Sequence, residues 1–367
     1  MKEHKTIALV GSTSIHTIRY LMAIAPYFEQ IIFITNGPWA STESCPDNVI
    51  TYTVNFKLLN IGCRKKIANI LLKHQIKLVH IQQANSYAYH TLKAIKQYKI
   101  KCKTILTTWG SDILVLPKKN IMFKRLVRFN LNHAHIITSD SLYMSEQIRK
   151  LAPLAKTIHT INFGIHNYPD SVDMSHKQNI ILSNRLHKPL YNIDKIIAAF
   201  ARFIRDNQQF ADYKLVVAAS GTESDTLLNL VSDLGIVKSV SFVGMLSYSE
   251  LIDYYKIARI FISIPSSDAT SLSVLEAIGY GCYPILSNIP ANLEWVLDGI
   301  NGRICQNNNA LEDYILNVLK TADFEKTAKF NHDLIGQKAV FENNLLKFLN
   351  LYTELGFRPA THVCARE

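Results

Sequence analysis

Two carboxylates, Asp268 and Glu276, bracket seven residues, Ala269 to Leu275, that are mainly small and hydroxylated or aliphatic. A strand-like run ends at Pro265 and a helical period opens near Thr270, so Asp268 falls in the loop before a helix and Glu276 nearly two turns inside it. The first N–H groups of a helix have no partner within it. Thr270, Ser271 and Leu272 are therefore expected donors for an anion at the positive end of the helix dipole. A phosphate there has its donors in place, whereas a carboxylate deeper in the helix is suited to accepting hydrogen bonds from a ribose diol. Both acids also have plainer readings, Asp268 as a helix cap and Glu276 as an ordinary helix acid.

The elements that must hold these residues alternate along the whole chain. Strand-like runs at 6–12, 30–36, 49–55, 77–83, 103–110, 135–140 and 156–163 are interleaved with helical periods from Ile15 and near 63–75, 86–99 and 121–134. A polar stretch, 164–179, interrupts the rhythm, and strand-like runs resume at 180–186, 213–221, 239–244, 259–265, 282–288 and 302–306. Alternation of this kind predicts two α/β domains, each a doubly wound parallel sheet, with ligands at the carboxyl ends of the strands around one crevice. The expected boundaries are 1–165, 166–335, a helix over 336–357 that crosses back onto the first domain, and a disordered tail over 358–367. The whole of 323–356 reads as helical.

Composition excludes several classes. At 367 residues, 48% hydrophobic and 19% charged, the chain is globular, and no apolar run is long enough to span a bilayer. The start, "MKEHKTIALVGSTSIH", lacks the apolar core of a secretory signal, which makes the cytoplasm the expected compartment. Six cysteines without a C-x-x-C pair argue against a zinc site or a disulfide framework. The net charge of +11 is unevenly placed. Residues 1–165 hold 22 Lys and Arg against 7 Asp and Glu, a net +15, and the rest are at −4. A basic first half suggests an anionic partner. Two amphipathic stretches, 56–75 and 116–132, mix Lys and Arg with Leu, Ile and Phe as interfacial helices do, although ordinary crossover helices read the same way. No aromatic RNA-binding signature accompanies the cations, so a nucleic-acid partner is not expected.

The stretch Ser263–Ile304 resembles the donor-site signature of the retaining glycosyltransferases of family 4, whose E-x7-E motif sits in this frame. The resemblance implies the GT-B fold, two Rossmann-like domains facing a central cleft, and a nucleotide-sugar donor in the second domain. Glu276 matches the second acid, on the ribose hydroxyls. Asp268 matches the first, near the transferred sugar, but is one methylene shorter. Leu182–Phe200 is similar to the segment that supplies an Arg and a Lys to the diphosphate; Arg185 matches the Arg, Tyr191 stands at the usual Lys position, and Lys188 is the substitute. Gly244, with Met245 and Leu246, resembles the turn where the base approaches backbone. On the acceptor and sugar side the counterparts are Ser12, Thr13 and His16 after Gly11, and His80, Trp109 and Asp112 at two further strand ends.

In such a transfer the leaving phosphate gains negative charge, which Arg185 or Lys188 and a helix N-terminus can neutralise without a metal. No two aspartates stand two apart, so the Asp-x-Asp route of metal-dependent sugar transferases is not expected. The family implies retention, with the departing phosphate itself taking the acceptor proton. No cofactor is expected, since the nucleotide sugar is substrate. The expected acceptor is a glycan or a lipid-linked molecule in cell-surface polysaccharide or glycolipid synthesis, reached by peripheral contact with an anionic membrane. A nucleotide-sugar epimerase or hydrolase of the same fold, and a partner subunit whose donor site has decayed, are the alternatives.

Overall fold

The computed structural model describes residues 6–39, 44–155 and 157–357; the expected tail, 358–367, lies outside them. The first sheet has seven parallel strands: β1 (Thr6–Val10), β2 (Gln30–Thr35), β3 (Val49–Thr53), β4 (Leu78–Gln82), β5 (Lys103–Thr107), β6 (Ile136–Ser139) and β7 (Thr157–Thr160). They lie in the order β3-β2-β1-β4-β5-β6-β7. The second sheet has six: β8 (Gln178–Ser183), β9 (Lys214–Ala218), β10 (Val240–Gly244), β11 (Ala258–Ser263), β12 (Tyr283–Ser287) and β13 (Arg303–Cys305), ordered β10-β9-β8-β11-β12-β13.

β1 and β11 carry unbroken apolar runs because helices cover both faces of their sheets. Ile7 to Val10 in β1 and Ile260 to Ile262 in β11 are fully buried. In both sheets the strand order reverses beside the first strand, between β1 and β4 and between β8 and β11. Neighbouring connections leave in opposite directions there, and a crevice opens at the carboxyl ends of the strands. The segments after β1, β5, β8 and β11 carry most of the residues picked out by sequence.

The chain divides into two compact units, Met1–Asn162 with Asn343–Glu367, and Phe163–Glu342. The segment read as one helix over 323–356 is two, Phe324–Lys338 and Phe341–Glu354. The break is non-local in origin. Ile165 N–H donates to Ala339 O at 2.7 Å, Phe341 N–H donates to Ile165 O at 3.0 Å, and Ile165 bridges Val340 like a strand. Gly164 makes room for this with φ +78°, where a Cβ would stand 2.8 Å from the Ala339 carbonyl oxygen and the Phe341 nitrogen. The last helix packs on the first sheet, where the Tyr352 hydroxyl meets Tyr20 Oη at 2.9 Å and His80 Nδ1 at 2.7 Å.

Candidate functional site

Where β8 ends, the chain turns through Asn184 and Arg185; where β11 ends, it runs through Ile264–Thr270 into the helix Leu272–Gly279. Asn192, in the left-handed region at φ 53°, ties the two loops by donating from Nδ2 to Ile264 O at 2.8 Å and Ser266 Oγ at 3.2 Å. Ser266 N–H donates back to Leu190 O at 2.9 Å. The helix begins at Leu272, two residues later than the sequence suggests, with Ser271 at its N-cap. The unbonded first-turn N–H groups accordingly shift toward Leu272 and Ser273.

Arg185 is the hub. Its Nη2 donates to Asp268 Oδ2 at 2.6 Å, and its Nη1 donates to Ser271 Oγ and, at 3.1 Å, to Ser273 Oγ. The guanidinium lies 4.6 Å from the centre of the Tyr191 ring. The residue at the expected Lys position thus supports the Arg by stacking instead of supplying a second charge. Asp268 is neither the simple helix cap nor a free carboxylate; its Oδ2 is committed to Arg185, and Ala269 N–H donates to Oδ1 at 3.0 Å. The Ser271 hydroxyl, drawn to the guanidinium and to Ser273 Oγ at 3.0 Å, makes no side-chain cap bond to its own helix.

Glu276 lies one turn beyond Ser273 on the same helix and is buried. The Tyr255 hydroxyl donates to its Oε2 at 2.9 Å and accepts from Asn184 Nδ2 at 2.7 Å. Burial, followed by the Glu276 charge, pushes the Tyr255 phenol well above its usual range, so it stays a donor. Beneath it the buried Lys177 donates to the carbonyls of Tyr255 at 2.7 Å and Tyr280 at 2.8 Å. Desolvation lowers the Lys177 pKa. Tyr280 stacks on Tyr255 with centroids 6.1 Å apart. One carboxylate oxygen of Glu276 is therefore held by a fixed phenol.

The other residues expected at the donor are less engaged. Lys188 is exposed at the start of a short helical turn, Pro189–Tyr191. Thr270 and Leu272 are half-buried on either side of the cap. Gly244 ends β10 at φ 68°, with open space where a Cβ would stand, and Met245 beside it is exposed.

In the first unit, β1, β4 and β5 bring a second group together. Trp109 Nε1 donates to Gln82 Oε1 at 2.8 Å, and His16 meets the Trp109 ring edge-on at 5.3 Å. Ser12 and Thr13 lie half-buried in the preceding loop. Gly11 is required by close approach, since a Cβ there would be 3.0 Å from the Cβ of Gln82. Two expectations are corrected. His80 is not at an open strand end but in the core, with Nδ1 on Tyr352 and Nε2 on Thr107 Oγ1 at 2.7 Å, and burial lowers its pKa to about 3. Asp112 is buried as well, its two oxygens accepting from Trp109 N–H at 2.9 Å and Ala84 N–H at 2.6 Å. It pins the Trp109 loop, with both oxygens taken up by backbone N–H groups. Burial raises its pKa against the opposing pull of these backbone bonds.

Sequence reasoning missed Gln82, Asn184, Tyr255 and Ser273. Gln82 is, with His80, one of two polar residues in the buried strand β4, and Ser273 lies three before Glu276 on one helix face. Those two signals were available; Tyr255, on a helix remote in sequence, carried none.

A family model described as "Glycosyl transferases group 1" matches residues 166–333, and one described as "Glycosyl transferase 4-like" matches 6–141. The chain belongs to glycosyltransferase family 4. This glycosyltransferase is 21% identical over 337 residues to N-acetyl-alpha-D-glucosaminyl L-malate synthase of Bacillus anthracis, covering 86% of this chain and 87% of that one. It is 32% identical over 128 residues, 35% of this chain and 28% of the other, to alpha-monoglucosyldiacylglycerol synthase of Streptococcus pneumoniae. Among solved structures it is similar to Anabaena HepE in complex with UDP, with a TM-score of 0.76 and 13% identity over 96% of this chain and all of that one. The glycosyltransferase thus has the GT-B fold, two Rossmann-like domains.

Proposed function

We propose that the second unit binds a nucleoside diphosphate sugar with its diphosphate at Arg185 and the N-terminus of the helix Leu272–Gly279, and its ribose on Glu276. The observation that carries this reading is the Arg185 guanidinium, oriented by Asp268, Ser271, Ser273 and Tyr191 at the start of the helix that bears Glu276. Charge-assisted bonds from Arg185 and the N–H groups of the helix's first turn oppose the charge that grows on the leaving phosphate. Asp268 then acts through Arg185, as a positioning residue. Lys188, exposed nearby, has the reach of a flexible ammonium for the same phosphates, and Gly244 and Met245 offer backbone to the base. Thr270 adds a hydroxyl beside the diphosphate.

The transfer proposed is retaining and uses neither metal nor cofactor. The bond from the anomeric carbon to the diphosphate oxygen breaks with its electron pair going to that oxygen. The acceptor hydroxyl oxygen bonds the same face of the carbon, and its proton passes to the departing phosphate. Ser12, Thr13, His16 and Trp109 of the first unit receive the acceptor, a glycan or lipid-linked molecule in surface polysaccharide or glycolipid synthesis. The short match to a lipid glucosyltransferase supports a lipid acceptor, and the UDP held by HepE makes uridine the first base to try. The basic first half supports peripheral work at the inner face of an anionic membrane.

The test is to screen uridine, guanosine and adenosine diphosphate sugars for thermal stabilisation, then to follow transfer from the stabilising donor to lipid-linked acceptors. Stabilisation with transfer is the expected result. Donor consumption without any acceptor would favour a hydrolase or epimerase, and binding without turnover a partner subunit.

A further inference from the structure

The two amphipathic stretches meet. A cavity of about 540 Å³ in the first unit is lined by Leu59, from the turn before the helix Cys63–Lys73, by Lys93 of the helix Ser86–Gln97, and by Met122, Phe123, Arg125 and Phe129 of the helix Ile121–His133. Leu59 is 95% exposed and Met122 76% exposed, and Ile61 and Ile121 beside them are also exposed. The Lys93 ammonium sits 4.4 Å from the centre of the Phe129 ring, a cation resting on the aromatic floor. The charged side chains that line the cavity, Lys93 and Arg125, are both cations. Residues 48–139 contain sixteen Lys and Arg and a single acid, Asp112, which is buried.

We infer that this face docks on an anionic phospholipid bilayer, with Leu59 and Met122 entering the acyl boundary and Lys93 and Arg125 meeting lipid phosphates around the cavity. Cations alone would suit any polyanion. Apolar tips projecting from among them are explained by an interface that is charged at the headgroups and apolar a few ångströms below. Exposed Leu59, Ile61, Ile121 and Met122 beside Lys93 and Arg125 have their complement in such a surface. The inference gives the membrane contact proposed above a place in the molecule. It stands apart from sugar transfer, because none of these side chains belongs to the donor or acceptor groups.

The test is sedimentation of the full chain with phosphatidylcholine vesicles, with and without phosphatidylglycerol. The wild type is expected to bind the anionic vesicles and to leave the neutral ones largely unbound. Lys93→Gln and Arg125→Gln should each weaken binding about fivefold. The double variant Leu59→Asp, Met122→Asp should lose binding by more than about tenfold, while keeping the wild-type melting temperature and UDP binding. Both of these side chains are exposed, so the fold does not depend on them. Wild-type protein that ignores anionic vesicles overturns the inference. So does a double variant that binds as the wild type does, which would leave only diffuse charge attraction, or wild-type binding to a random RNA as tight as to vesicles and indifferent to the same two substitutions. Docking without sugar transfer would sink the proposed activity and leave this inference standing; transfer without docking would do the reverse.

Discussion

At the scale of single residues, the site is a guanidinium whose position is decided four times over. Removing Arg185 removes the charge and orphans Asp268 in a partly buried place, so Arg185→Ala should cost donor binding about 1.5 to 3 kcal/mol, tenfold or more. Asp268→Asn keeps the shape and loses the charge that aims the guanidinium; a fall in kcat of about tenfold or more with a smaller change in donor KM is expected from steady-state kinetics. Tyr255→Phe removes the hydroxyl that holds Glu276 Oε2. That carboxylate should then hold the ribose less firmly, so discrimination between UDP and 2′-deoxy-UDP should fall several-fold by calorimetry. Equal discrimination in both proteins would make Tyr255 a packing residue only. Asp268 and Glu276 were picked out by their spacing about a helix start, and Arg185 through the resemblance of Leu182–Phe200 to a family segment. The ion pair of Asp268 was not legible, since the partner of its carboxylate, Arg185, comes from a loop 83 residues away.

At the scale of elements, two ties depend on non-local contacts. The nearest glycine to the break between Lys338 and Phe341 is Gly336, inside the helix, where it makes room for the Tyr168 ring; the break exists because Ile165 takes hydrogen bonds a helix would otherwise make. Gly164→Ala at φ +78° places a methyl against that junction and should lower stability by about 2 kcal/mol or more in urea unfolding. The last helix is held by His80 and Tyr20 through Tyr352. His80 is buried neutral, with its pKa lowered to about 3 against an ordinary value of 6.5, so below pH 6.5 the unfolded chain binds a proton the folded one does not. Stability attributable to this residue therefore falls as pH falls from 6.5 toward 3, by about 1.6 kcal/mol between pH 6.5 and 5. Urea titrations at both pH values should show a smaller loss in His80→Gln than in the wild type; an equal loss in both would contradict the assignment. A lone His at a strand end gave no hint of this, because its partner is 272 residues away.

At the scale of the whole molecule, the alternation of strands and helices was enough to read two doubly wound sheets, since strands buried on both faces, such as β1 and β11, stand out as apolar runs. Strand order was not legible, yet it decides the site, because the reversals beside β1 and β8 put the loops after β1, β4, β8 and β11 at crevices. The basic first half and the mildly acidic second were plain from charge alone, and the fold sets two of those cations, Lys93 and Arg125, at a cavity edged by the exposed Leu59 and Met122. High salt should accordingly weaken vesicle binding while leaving UDP affinity nearly unchanged, because the Arg185 cluster is largely shielded from solvent. The measurement that tests the central claim most directly is calorimetric titration of UDP into the wild type, Arg185→Ala and Glu276→Ala. The account predicts tight binding to the wild type, at least about tenfold weaker binding to Arg185→Ala, and none measurable for Glu276→Ala. Wild-type affinity in either variant would contradict it.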